Sequence, residues 1–151
     1  KELEILLGLL KEQDPHLVGV SFTSISYGLA KFVTRKIKEE LKVPVIWGGV
    51  DSTMNAEENI QFTDMICMGE GEYAVRNLVN AMDRGEDTDH MPSIWVNRNG
   101  NIIRNPSQKL EQNLDNYPFP DFELENKTVI IKNILGTGVD VIASRDMPAK
   151  A

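Results

Sequence analysis

Short apolar runs alternate with amphipathic helical patterns along the first half of the chain, and this alternation is the strongest constraint on its fold. Residues 16–22, 43–47 and 64–68 are nearly continuous apolar runs of strand length, typical of strands covered on both faces. Residues 27–41 and 72–85 carry apolar side chains at helical spacing, with charged side chains between them. The pattern predicts an α/β protein with a doubly wound parallel sheet, Rossmann-like or flavodoxin-like, and short right-handed connections.

The helices of this alternation give predictions that can be checked residue by residue. A helix at residues 1–12 precedes the first strand, so the pattern predicts an earlier strand upstream. Asn55 and Glu58 have the spacing of a capping box at the start of a short helix, and Gly85 suits a helix C-terminus. In the helix before Gly85, four apolar side chains are predicted to face inward: Val75, Leu78, Val79 and Met82.

The character of the chain changes after the last of these helices. Residues 93–105 are predicted to form a β-hairpin whose two-residue turn is Asn99-Gly100. The stretch "LDNYPFPDF" follows as an extended linker, held to the surface by Tyr117 and Phe119. We therefore expect three parts: an α/β domain at 1–86, the hairpin and linker at 87–126, and the start of a further domain at 127–151.

The overall composition limits the classes of function. With 41% hydrophobic and 26% charged residues, the chain has the composition of an ordinary globular domain. Its formal net charge of -7 argues against binding to a nucleic-acid backbone, which requires clustered cations. The single cysteine, Cys67, lies in an apolar run and is predicted to be a buried thiol, which fits a reducing cytoplasm. Because no apolar stretch has the length of a membrane span, we expect no membrane partner.

Three segments rich in glycine, hydroxyl or carboxyl groups follow the three predicted strands. Ligands of open parallel sheets bind beyond the carboxyl ends of the strands, so we expect these segments to meet at one edge. Glycine lets a ligand approach backbone amides, helix N-termini favour anions, and hydroxyl groups both donate and accept hydrogen bonds. They are called the first (21–24), second (48–53) and third (69–72) edge segments. The predicted binding residues are Ser21, Thr23, Ser24, Gly48, Gly49, Thr53, Gly69, Glu70 and Gly71.

Each edge segment also has a purely structural interpretation. A glycine pair after a strand most often makes a tight turn, and Ser21 and Thr23 suit a strand end and a helix cap. Glu70 and Glu72 suit the first turn of a helix, where carboxylates complement the helix dipole. The repetition of such segments after three successive strands nevertheless favours a nucleotide-like or tetrapyrrole-like ligand. The sequence lacks the motifs of common hydrolases and phosphate-binding loops, so no catalytic or metal-ligating residue is predicted.

The order of these motifs resembles the cobalamin-binding domain that lies N-terminal to radical S-adenosylmethionine domains. The resemblance extends from the first strand to the Pro-rich linker and rests on "VPVIWGGVDST", "DMICMGEGEYAV" and "LDNYPFPD". It implies that Ser21 and Thr23 lie near the nucleotide tail of cobalamin and that Gly48 and Gly49 flank that tail. It also implies that the backbone of residues 69–71 closes over the other side of the tail.

Three features depart from the family's pattern. Asp51 stands where the family often has a histidine, two residues beyond the glycine pair. The Asp-x-His-x-x-Gly loop, which supplies a lower axial ligand in other cobalamin domains, would lie upstream of Lys1. The C-terminal "ASRDMPAKA" resembles the start of the Cys-x-x-x-Cys-x-x-Cys cluster motif, but Met147 and Ala151 occupy the positions of its first two cysteines.

The resemblance implies the cofactor-binding domain of a cobalamin-dependent radical enzyme, with methyl transfer as the expected reaction. Cobalamin is the cofactor expected here, and S-adenosylmethionine and a [4Fe–4S] cluster are those expected of the whole protein, in an adjoining radical domain. Two alternatives from other classes stay open. One is a scaffold that keeps the fold without a ligand and docks the next domain. The other is a flavodoxin-like module that binds a small phosphate ligand.

Overall fold

A computed structural model describes residues 1–118 and 127–137, and its centre is a five-stranded sheet. The helices are α1 (Glu2–Gln13), α2 (Tyr27–Leu41), α3 (Val50–Met54), α4 (Ala56–Asn59) and α5 (Gly71–Asp83). The sheet contains β1 (Val18–Ser21), β2 (Val45–Gly48), β3 (Met65–Cys67), β4 (Ile94–Arg98) and β5 (Asn101–Ile103). A separate antiparallel pair is formed by β6 (Thr128–Ile131) and β7 (Ile134–Thr137).

The sheet confirms the α/β prediction and extends it. Its strand order is β1-β2-β3-β4-β5, and the first three strands are parallel. The predicted hairpin is present, and Asn99 and Gly100 at its turn have φ of 53° and 92°. Strand β4 pairs antiparallel with β3, so the hairpin continues the sheet, which is therefore mixed and not wholly parallel. The division into three domains stays a prediction.

Side chains from neighbouring positions of one strand enter two different cores. Val45 and Trp47 of β2 pack in a cluster with residues of α1, α2 and α4. Ile46, between them, packs in a second cluster with Ala74 and Leu78 of α5. Because a strand's side chains alternate between the faces of its sheet, both faces are covered by helices. This double covering explains why the strands of the sequence are continuously apolar.

Two details of the helices differ from the sequence predictions. Val79 was predicted to face inward but is 39% exposed, because α5 packs through Ala74, Leu78 and Ala81. Those three residues recur at four- and three-residue spacing, and the two alanines let the helix lie close to the sheet. The capping box is also wrong. Asn55 holds the N-cap position of α4, but its side-chain amide donates to Asp51 Oδ1 at 3.1 Å instead of capping the helix.

Helix α5 ends at a glycine, and a second hairpin lies near the end of the described residues. Gly85 has φ of 66°, and its N–H donates to Met82 O at 3.0 Å, which confirms the predicted C-terminal glycine. The β6–β7 hairpin was missed, because its turn residues Lys132 and Asn133 take positive φ without a glycine. Most of the further domain expected at 127–151 lies outside the described residues, including Met147 and Ala151, and so does Phe119 of the linker.

Candidate functional site

The three edge segments meet at the carboxyl ends of the parallel strands, as expected. Ser21 and Gly48 are register partners in the β1–β2 pair, and Phe22 N–H donates to Gly48 O at 3.3 Å. These contacts join the first segment to the second. The Gly69 N–H donates to Thr53 Oγ1 at 3.0 Å, which joins the third segment to the second. One continuous surface therefore contains all of the residues predicted from the sequence.

The two glycines of the pair have different structural roles. Gly49 has φ of 94°, and a Cβ there would lie 2.7 Å from Phe22 O and 3.1 Å from Ser21 Oγ. Gly49 is therefore required by the close approach of the first segment to the second. Gly48 is different, since no described residue other than its two chain neighbours comes within 4 Å of a Cβ built on it. Gly48 thus leaves open space at the edge of the sheet.

A buried aromatic cluster lies next to the glycine pair. The Trp47 side chain is fully buried, and its Nε1–H donates to Thr34 Oγ1 on α2 at 2.7 Å. The ring of Phe22 meets the Trp47 ring edge-on, with 4.8 Å between centroids. Aromatic pairs in this arrangement add to the energy of area burial, and the indole hydrogen bond fixes the ring's orientation. The end of β2 is therefore rigidly placed.

Asp51 is the acceptor at the centre of a hydrogen-bond network between the first and second segments. It is only 4% exposed. Its Oδ1 accepts from Ser24 Oγ at 2.6 Å and from Asn55 at 3.1 Å, and its Oδ2 accepts from Asn59 at 2.9 Å. The bond from Ser24 and then that from Asn59 lower the pKa of Asp51, although its burial acts in the opposite direction. The residue at the family's histidine position is thus a fixed carboxylate that holds Ser24.

The third segment is held by contacts of another kind. Glu70 is half-buried, and its Oε2 accepts from the backbone N–H of Glu111 at 3.2 Å and from the Tyr117 hydroxyl at 3.1 Å. Tyr117 therefore fixes the linker to the surface, as predicted. Gly69 has φ of 74° and is exposed. Gly71 begins α5, and a Cβ there would make only ordinary contacts.

The exposed part of the edge combines hydroxyl groups with apolar side chains. Ser21 and Thr23 are exposed at the end of β1 and just beyond it. Three large apolar side chains on or beside the first two segments are also exposed: Ile25 at 97%, Val50 at 54% and Met54 at 75%. The edge therefore exposes both hydroxyl groups and apolar side chains.

Sequence reasoning did not assign a function to Asn55 and Asn59 in this network. A signal was present, because positions 51, 55 and 59 are spaced by four and fall on one side of a helical path. The short helices α3 and α4 interrupt that path, so the spacing alone was ambiguous.

Among the described helices, none is both long and apolar enough to cross a bilayer.

Fold and site together define an α/β domain whose candidate ligand surface lies at the carboxyl edge of parallel strands. No protein-family model matches the sequence. A protein of Pyrococcus horikoshii described as an uncharacterised methyltransferase is 29% identical to it over 123 residues. The match covers 77% of this chain and 26% of the relative, so the chain spans about a quarter of that protein's length.

Solved structures show the same fold. The radical S-adenosylmethionine methyltransferase TsrM from Kitasatospora setae, with cobalamin and a [4Fe–4S] cluster bound, superposes with a TM-score of 0.62 and 24% identity. That match covers 74% of this chain and 22% of TsrM. The cobalamin-dependent S-adenosylmethionine radical enzyme OxsB, with aqua-cobalamin and S-adenosylmethionine bound, superposes with a TM-score of 0.62 and 19% identity. That match covers 72% of this chain and 16% of OxsB. The Rossmann-like resemblance found in the sequence is therefore confirmed at the level of fold.

Proposed function

We propose that this chain binds cobalamin at the carboxyl edge of its sheet, as the cofactor-binding part of a cobalamin-dependent radical S-adenosylmethionine enzyme. The observation that carries the proposal is the joining of the three edge segments into one surface, with open space over Gly48. Structures with this fold include two enzymes solved with cobalamin bound. The edge of the sheet is also where the general rule for open α/β sheets locates a ligand.

The residues at the edge fit such a ligand. The hydroxyl groups of Ser21 and Thr23 would bind polar groups of the nucleotide tail, and the backbone at Gly48 and residues 69–71 would lie against it. Exposed Ile25, Val50 and Met54 offer apolar contact. When bound in an enzyme of this kind, cobalamin supplies a transferable methyl group. The edge segments contain no histidine. In this proposal they would therefore bind and orient cobalamin without supplying an axial ligand to its cobalt.

The proposal for the whole protein is a methyltransferase. It would contain a radical domain adjoining this one, and its further cofactors would be S-adenosylmethionine and a [4Fe–4S] cluster. The resemblance to the Pyrococcus horikoshii protein and to TsrM supports this reaction class. A cytoplasmic location and the lack of nucleic-acid and membrane partners are retained as predictions from the composition of the chain.

Retention of corrin absorbance by the full-length protein tests the proposal. The protein is mixed with hydroxocobalamin and gel-filtered, and its visible spectrum is recorded. We expect wild type to retain the corrin and Gly48→Val to lose it, because the valine side chain fills the open space. The matched control is Gly19→Val, another strand glycine, where a Cβ would meet only Ile46 Cγ2 at 3.9 Å. Circular dichroism checks that both variants fold. Absence of corrin from wild type, or equal retention by both variants, contradicts the proposal.

A second candidate function, a scaffold without a ligand, is favoured by the internal contacts of the edge. The side chains of Ser24, Thr53 and Glu70 all bind other parts of the chain, and Gly49 is required by Phe22. A scaffold predicts that neither wild type nor any variant retains corrin absorbance. The small-phosphate alternative is disfavoured, because the three edge segments contain no lysine or arginine and Asp51 is held ionised.

A further inference from the structure

A segment near the end of the first described range returns to the edge of the sheet. Residues 111–117, called the strap, lie against the third edge segment and the start of α5. The strap's first amide, that of Glu111, and its last side chain, that of Tyr117, both donate to Glu70 Oε2, at 3.2 and 3.1 Å. The rings of Tyr73 and Tyr117 lie 4.9 Å apart, and the Tyr73 hydroxyl donates to Asn116 O at 3.4 Å. The strap is therefore held at both ends and along its side.

One carboxylate oxygen accepts from both ends of the strap. Hydrogen bonds to a carboxylate are stronger than those between neutral groups, so Glu70 is a strong attachment point for this segment. Burial, and then the hydrogen bond to Glu70, raise the pKa of Tyr117 to about 12. The two tyrosine rings cover the attachment on the side of α5.

Glu70 also lies between two features that fix the third edge segment. Gly69, on one side, has a left-handed backbone and donates its N–H to Thr53. Gly71, on the other side, is the first residue of α5. If the Glu70 side chain moves, the backbone of residues 69–71 must respond, because Gly69 and Gly71 are both held in place. Glu70 therefore belongs to the edge and also contacts the strap.

We propose that Glu70 is a positioning residue that ties the strap to the third edge segment, so that the path of the chain leaving the sheet and the conformation of the edge change together. This inference requires no ligand, and it is independent of which molecule binds at the edge. It gives Glu70 an intramolecular role that the sequence did not indicate.

Hydrogen exchange in the full-length protein tests the attachment. Glu70→Ala removes both acceptor contacts, and we expect the Glu111 amide to exchange at least about tenfold faster than in wild type. The matched control is Glu57→Gln, which removes a carboxylate charge from an exposed pair with Arg104, away from the strap. It should leave the Glu111 amide unchanged. Wild-type exchange in Glu70→Ala, or equal acceleration in the control, overturns the proposal.

A second variant tests the coupling and covers the case in which Glu70→Ala fails to fold. Tyr117→Phe keeps the ring and leaves residues 69–71 unaltered, yet removes the hydroxyl donor. If strap and edge move together, this variant accelerates exchange at the Gly69 amide as well as at Glu111. Acceleration confined to the strap overturns the coupling.

The ionisation of Tyr117 provides a second readout, because burial and the hydrogen bond to Glu70 both hold its pKa above the ordinary value. In an ultraviolet titration, Glu70→Gln should lower the pKa of Tyr117 from about 12 toward its ordinary value of 10.0. The Tyr117→Phe spectrum identifies which transition belongs to Tyr117. A Tyr117 transition that stays unchanged in Glu70→Gln contradicts the direct contact.

Discussion

The second and third edge segments lie side by side at one end of the sheet, yet they are held in place by different means. In the second, Asp51 and Ser52 are buried, and hydrogen bonds from Ser24, Asn55 and Asn59 fix the Asp51 carboxylate. In the third, Gly69 is exposed, and the segment is held by the strap through Glu70. Buried contacts therefore hold the second edge segment, whereas the strap, about forty residues further along the chain, holds the third.

This difference indicates that the two segments differ in how easily they change conformation. A segment fixed by buried hydrogen bonds keeps its shape, because opening it would expose or orphan several polar groups. A segment fixed by a few half-exposed contacts opens at lower cost. We therefore expect the second segment to be the constant part of the site and the third to be the part that adjusts.

The largest effect is expected at Gly49. Gly49→Ala places a Cβ against the Phe22 carbonyl oxygen and forces a side chain into a left-handed backbone, so we expect the free energy of unfolding to fall by about 3 kcal/mol. Gly48→Ala, at the adjacent open position, should change it by no more than about 0.5 kcal/mol. Urea denaturation of both variants measures the difference. Equal losses would show that the two glycines do not have the separate roles described above.

The next largest effect is expected at Asp51. Asp51→Asn removes the charge and presents an amide to three donors, so we expect a loss of about 2 kcal/mol at neutral pH. The folded-state pKa of Asp51 lies below that of the unfolded chain. Its stabilisation is therefore complete above the unfolded pKa and is lost as the pH falls through the folded pKa.

Urea denaturation at several pH values checks this sign. Between about pH 6 and about pH 3, wild type should lose more stability than Asp51→Asn, so the gap between the two proteins narrows. Glu57→Gln is the control for the loss of an exposed carboxylate. A gap of constant size across this range would mean that Asp51 acts through packing and not through its charge.

The smallest effect is expected at the contact that joins the two segments. Thr53→Val removes the hydroxyl that accepts from Gly69, and we expect a loss of about 1 kcal/mol, since that amide is exposed enough to bind water. Thr53→Ser keeps the hydroxyl and should restore most of the loss. Hydrogen exchange at Gly69 should rise in the valine variant and not in the serine variant. The same rise in both would show that the hydroxyl is not the acceptor.

Most of the fold could be predicted because it depends on local pattern. The exact span of α2 and the Asn99-Gly100 turn follow from helical spacing and from turn residues that accept positive φ. The mixed character of the sheet did not follow, because the pairing of β4 with β3 joins residues that are distant in the sequence. The prediction that Val79 faces inward was wrong, because periodicity alone leaves the rotation of a helix uncertain by about one residue. The packing of Ala74 and Ala81 decided the rotation of α5.

For the site, the sequence by itself determined which segments lie at the carboxyl edge, since strand order along the chain and the alternation with helices require it. Tertiary structure alone decided what each residue there contacts. It separated Gly48, which faces open space, from Gly49, which faces Phe22, and it joined Asp51 to Ser24 and Glu70 to the strap. The physical reason is that a hydrogen bond or close contact forms only when residues distant in the sequence are placed to within a few tenths of an ångström, and one-dimensional spacing does not fix their positions so closely.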